Sequence, residues 1–214
     1  MENKVITFEI IRQLVRGCLY KEPGYKDYIK CLYNGKDKSL WNCSYLLNQV
    51  LRQISIDDDK KLVSKAAKEL WEKIDPECKK NSSKNINDYY YHEVLTAGKE
   101  GAEIYEYKGS NKNPNSDSPR KLKKGASFVF RDVFHVEHVV PISMIIDRLK
   151  ELEKNNQLTD DAINETLELI YVCRMTKQED RGIKQKSKRF LDVDRVLNEV
   201  YKNKENKLII EAER

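Results

Sequence analysis

Two of the three histidines in this chain, His135 and His138, stand three residues apart, and Glu137 immediately precedes the second. A histidine directly after a carboxylate suits metal-assisted hydrolysis. The carboxylate holds a divalent cation, and the imidazole takes a proton from water. The stretch Phe134-His135-Val136-Glu137-His138-Val139-Val140-Pro141 is otherwise apolar and β-branched, as at the end of a strand. Side chains alternate along a strand and Pro141 turns the chain, which argues against a simple two-histidine clamp. His138 is therefore the candidate general base. His135 is expected either to contact a phosphate or to pack beneath the site. His92 has no companion of this kind and is read as structural.

These groups need elements to position them. Ala126 to Phe134, with Phe128, Val129, Phe130 and Val133, reads as a strand leading into the histidines. Ser143 to Lys154 places Met144, Ile145, Leu149 and Leu152 on one helix face, and a further helix starts behind Thr159 as N-cap. Leu169 to Cys173 is a short β-type run, followed by Thr176-Lys177-Gln178-Glu179-Asp180 and a Lys/Arg-rich tail whose last helix begins near Asp192. Upstream, residues 5–78 read as helical. Val5, Phe8, Ile11, Leu14 and Val15 recur at three- and four-residue steps; Leu40 to Ile54 repeats the pattern, and Leu62, Ala66, Leu70 and Ile74 continue it. Pro23-Gly24 and Asn34-Gly35 punctuate the first two segments.

Glu137-His138-Val139-Val140-Pro141 resembles the D-H-x-x-P opening of the HNH (ββα-metal) nucleases, with Glu in place of the usual Asp. The resemblance covers roughly residues 126–190. It implies that this motif ends a first strand, that Leu169 to Arg174 forms a second, and that a helix from Thr176 supplies the last metal ligand. Thr176-x-x-Glu179 has the form of a capping box, which occupies Glu179 and leaves Asp180 available. Asp180, before Arg181-Gly182, also stands where the family has its final Asn or His. The implied metal ligands are thus Glu137 and Asp180, and oxygen donors suit Mg²⁺ or Mn²⁺. The family's Asn that orients the base matches Glu168 here, with Asn164 farther off, so His135, Glu168 and Glu179 are the supporting candidates. The zinc-binding cysteine pairs of some members are missing, and no structural zinc is expected. The implied fold is α+β and predominantly helical: a ββα-metal core, a helical N-terminal region, and an inserted helix between the two core strands. The expected divisions are 1–80 (helical, for DNA binding or dimerisation), 81–125 (connecting, with a basic loop) and 126–214 (nuclease core and C-terminal helix).

Charge agrees with a polyanionic partner. The 214 residues carry a net charge of +5, and between Lys108 and Lys124 six bases face one acid, Asp117. Lys121, Lys123 and Lys124 from this loop, with Arg131, Arg174, Lys177, Arg181 and Lys184 around the motif, are candidate phosphate contacts. The five cysteines are widely spaced with no CxxC pair, as in reduced cytosolic thiols. The N-terminus lacks a signal-peptide core and no apolar run approaches a membrane span, so a cytoplasmic protein is expected. The resemblance implies an endonuclease acting on double-stranded DNA, as a homodimeric type II restriction enzyme. A homing or phage-type nicking enzyme, a toxin nuclease and a non-catalytic helical nucleic-acid-binding protein remain open alternatives.

Overall fold

The computed structural model describes residues 2–20, 43–54, 57–74, 86, 93–98, 103–107, 119–183, 190–202 and 212–213. In chain order the elements are α1 (Glu2–Tyr20), α2 (Cys43–Gln53), β1 (Lys61–Ser64), α3 (Lys65–Glu72), β2 (Val94–Thr96), β3 (Tyr105–Glu106), β4 (Arg120–Lys121) and β5 (Ser127–Val129). They continue with α4 (Phe130–Val133), β6 (Phe134–His138), α5 (Ile142–Lys154), α6 (Asp160–Leu167), β7 (Val172–Thr176), α7 (Lys177–Gly182), α8 (Val193–Arg195), a π-helical turn over Val196–Tyr201, and β8 (Ala212–Glu213). This is a mixed α+β protein in which 57% of the described residues are helical. No helix among them is long and apolar enough to cross a membrane.

The chain forms two compact units, both built from discontinuous segments: 1–56 with 140–170 and 186–193, and 57–139 with 171–185 and 194–214. Both draw residues from either side of positions 80 and 126. The first unit is helical. Ile142, Ile145, Ile146, Leu149 and Leu152 recur at three- and four-residue steps on α5, and all are buried together with Ile11, Leu14 and Val15 of α1 and Leu46, Leu47 and Leu51 of α2. Thr159 accepts from the Ala162 amide at 3.2 Å and caps α6. Arg12 pairs with Asp160, and Arg16 with Glu153 at 2.8 Å, along the rim of this core.

The second unit is organised by a four-stranded sheet in the order β6-β7-β1-β8. β6 and β7 are antiparallel, β7 and β1 parallel, and β1 and β8 antiparallel. Two-stranded pairs β2/β5 and β3/β4 belong to the same unit. Phe130 stacks on Phe134 with ring centroids 4.8 Å apart, and Trp71 of α3 meets both rings edge-on. This cluster anchors the start of β6.

Three sequence expectations change. Leu62 to Ile74 is not one helix: Lys61–Ser64 is a strand, and α3 starts only after Ser64, whose hydroxyl accepts from the Ala67 amide at 3.1 Å. The Ala126–Phe134 run is interrupted by the single turn α4, because β5 pairs with β2 while Phe134 opens the pairing of β6 with β7. The second core strand is Val172–Thr176, displaced from the expected Leu169–Arg174, since Ile170 is buried in the helical core instead. Two helices, α5 and the Thr159-capped α6, separate β6 from β7, at the places that the Ser143–Lys154 stripe and Thr159 indicate. His92, Lys184, residues 108–118 of the basic loop and the turns near Pro23 and Asn34 lie outside the described residues.

Candidate metal centre

β6 and β7 run antiparallel with His135 opposite Met175 and Glu137 opposite Cys173, and α7 follows β7 directly. His135 and Glu137 are two residues apart on a strand, so they project on the same side. Asp180 reaches them from α7. One donor atom from each of the three lies within 4.8 Å of the others. His135 Nε2 is 3.3 Å from Glu137 Oε2 and 3.8 Å from Asp180 Oδ1. Their side chains are 27%, 16% and 15% exposed, which keeps the group open to water without leaving it on the surface.

The capping box of α7 aims Asp180. Glu179 N–H donates to Thr176 Oγ1 at 3.1 Å, and Thr176 N–H donates to Glu179 Oε2 at 2.8 Å. Ser64 of β1 adds a third tie, its hydroxyl donating to the same Oε2 at 2.7 Å. Glu179 is thus locked in the interior, and the next residue, about 100° farther round the helix, faces the strand pair. Burial raises the Glu179 carboxyl above its ordinary value, against the lowering effect of the bonds from Ser64 and Thr176. The Cys173 thiol, fully buried, is pushed far up by desolvation and then by the carboxylates of Glu179 and Glu137. It stays a protonated packing group beneath the cluster.

The donor set fits a divalent cation. With metal–oxygen bonds near 2.1 Å, neighbouring ligands of an octahedron lie about 3.0 Å apart and opposite ones about 4.2 Å. The distances at His135 fall inside that range. Two carboxylates and one imidazole suit Mg²⁺ or Mn²⁺, and the imidazole widens the set toward later transition metals.

The remaining sequence candidates are distributed around the second unit, with one exception. His138 ends β6 opposite Val172, one position after Glu137, and is not one of the three clustered residues. Arg181 lies with its guanidinium 4.5 Å from the Tyr107 ring. Arg174, on β7 opposite Val136, lies 5.3 Å over Phe130. Arg131 sits on α4 with Asp132 3.9 Å away, and Lys177 opens α7. Lys121 is paired with Glu103, while Lys123 and Lys124 are exposed in the turn closed by Gly125 at φ 68°. The exception is Glu168, which caps α6 in the first unit and is exposed. His135, a supporting candidate by sequence, is a member of the cluster; its two-residue spacing from Glu137 is the sign that they share a face. Ser64 and Tyr107 were not singled out, and nothing local to either residue announces its partner. No family model, curated protein or solved structure matches this chain.

Proposed function

We propose that this chain is a metal-dependent endonuclease of the HNH type that hydrolyses phosphodiester bonds in double-stranded DNA. The observation that carries the proposal is the convergence of His135 and Glu137, from the first of two antiparallel strands, with Asp180, from the helix directly after the second. Order and ligand chemistry both agree with a ββα-metal centre. Glu137 and Asp180 would hold Mg²⁺ or Mn²⁺, with His135 as a nitrogen donor beside them. A cation held there supplies charge neutralisation at the phosphate and at the departing 3′ oxygen.

The chain's own residues account for the rest. His138, adjacent to Glu137 at the open end of β6, accepts a proton from the attacking water through its neutral imidazole. Arg181, with Lys177 one helix turn earlier, binds non-bridging phosphate oxygens. The ends produced are a 5′-phosphate and a 3′-hydroxyl. In biological terms the reading is a cytoplasmic type II restriction enzyme working as a homodimer, whose two-fold symmetry would match that of a palindromic site.

The test is incubation of the purified chain with phage DNA in Mg²⁺, in Mn²⁺ and in EDTA, beside His138→Ala and Asp180→Ala. Discrete fragments that require metal and disappear in both variants are expected. A smear with the same dependence removes the restriction role and retains a nuclease, and discrete nicks point to the nicking class. Intact DNA under both metals, with DNA binding preserved, rejects the endonuclease in favour of a binding protein.

A further inference from the structure

A second recess lies in the same unit, built from other side chains. It is a slot of about 180 Å³. That is well under the roughly 300–1,000 Å³ of sites that enclose drug-sized molecules, so it takes one small ring system. One wall is a single helix face, since Ala66, Glu69 and Leu70 of α3 and its C-cap Lys73 recur at steps of three and four. Tyr105 and Tyr107, two residues apart and therefore on the same side of the chain at β3, line it as well. Val133 and Thr176 line it further, and Gln178 and Glu179 close it from α7.

The wall chemistry narrows the guest. Two tyrosines and a leucine among the lining residues offer half-apolar surface of the kind on which a planar heterocycle stacks. The rim is polar, with the carboxylates of Glu69, Glu103 and Glu179 beside the ammonium of Lys73. Glu69 and Lys73 bring opposite charges four residues apart on one helix face, and Glu103 is paired with Lys121. Glu179 is already tied by Ser64 and Thr176. With Glu103 and Glu179 engaged elsewhere, Glu69 beside Lys73 supplies a hydrogen-bond acceptor and a donor to a neutral edge.

We infer that this slot binds a single nucleobase of the nucleic-acid substrate, turned out of its stack, and prefers guanine. Guanine offers two N–H donors beside the O6 acceptor on its pairing edge, which complements a carboxylate next to an ammonium; thymine, without an exocyclic amino group, complements it least. Reading an extruded base through its pairing edge between aromatic and apolar side chains is the known solution where a base must be held outside a duplex. The position relative to the metal centre is suitable. Gln178 and Glu179 line the slot, and Asp180, the next residue of α7, belongs to the cluster. Tyr107 is shared: it lines the slot and carries the Arg181 guanidinium. A phosphate at the cluster and a neighbouring base in the slot would thus be held by one short helix. The inference rests on the endonuclease reading for the polymer to which the base belongs.

The experiment is saturation-transfer NMR on the full chain with dGMP, dAMP, dCMP and dTMP in turn. It is accompanied by Mn²⁺ relaxation titration and by the DNA cleavage assay. Transfer to the base protons is expected, strongest for dGMP and weakest for dTMP. Tyr105→Ala should weaken dGMP binding at least about tenfold, Tyr105→Phe should retain it, and Mn²⁺ binding should be unchanged in both. Absence of transfer to any base, equal transfer in Tyr105→Ala, or preferential binding of free arginine overturns the slot. A chain that cleaves DNA normally as Tyr105→Ala and takes up no nucleotide disproves the slot alone. A chain that binds dGMP through Tyr105 and cuts nothing upholds the slot and rejects the endonuclease.

Discussion

Three side chains converge on one point, and His138 ends the same strand one position after Glu137; on the proposed reading the three hold the metal and His138 moves the proton. His135→Ala removes a donor from the cluster. It should weaken Mn²⁺ affinity by roughly tenfold or more, with turnover recovering at high metal concentration. His138→Ala should leave that affinity intact and lower kcat by about 10²- to 10⁴-fold, the usual worth of a general base. Metal titration by relaxation enhancement, paired with cleavage kinetics, checks both; a reversed pattern gives the base role to His135. Tyr107→Ala takes away the ring beneath Arg181 and should lower kcat/KM by about three- to tenfold, whereas Tyr107→Phe preserves it. Sequence made Glu137 and Asp180 legible because a motif and a capping box isolate them. The pairing of His135 with Glu137 is carried only by strand alternation, a weaker local sign than a motif or a cap. Tyr107 was out of reach, since its partner lies far along the chain.

Among the elements, α7 is short and depends on its cap. The Glu179 carboxyl is raised in the folded state, chiefly by burial. An acid whose folded pKa exceeds its unfolded one, about 4.3 for Glu, holds its proton longer in the native chain. Its contribution to stability is therefore greatest at low pH and declines as pH rises through the interval above that value. Glu179→Gln keeps an acceptor for Ser64 and Thr176 and removes the titration. Its stability relative to the parent should improve between pH 4 and pH 7, as read by urea unfolding at both values. The end of α5 offers an independent check. Asn156 has φ 55°, and Gln157 N–H reaches back to the Leu152 carbonyl at 2.8 Å, closing the helix with a left-handed residue. Asn156→Gly should be neutral or slightly stabilising, and Asn156→Val should cost about 1–2 kcal/mol in the same assay. The α5 stripe and the Thr159 and Thr176 caps were readable because helix periodicity and caps are local. β1 was not, because Leu62, Ala66, Leu70 and Ile74 keep helical spacing straight across the strand–helix junction at Ser64. What makes Lys61–Ser64 a strand is its pairing with Val172, Cys173 and Arg174, information that no window of neighbouring residues contains.

For the whole molecule, a cation that binds only the folded cluster must stabilise the fold by linkage. At a hundred times its Kd the gain is about 2.7 kcal/mol, visible as a Tm increase that EDTA abolishes and that Glu137→Ala and Asp180→Ala do not show. DNA binding should weaken steeply with salt, each phosphate contact adding about 0.9 to the slope of log K against log salt; Arg181→Ala should reduce that slope by about one. The same sheet that carries the cluster also fixes when it can exist. Lys61 pairs with Val172, and Phe134 with Thr176, so the ladder joins segments that leave the ribosome far apart in time. At typical synthesis rates, β1 waits on the order of ten seconds for its neighbour. Pairings of such high contact order form slowly, and Asp180 emerges after nearly all of them. The growing chain therefore carries no assembled metal centre until Asp180 has emerged behind β7, so the order of translation itself would hold back any chemistry of that cluster until then.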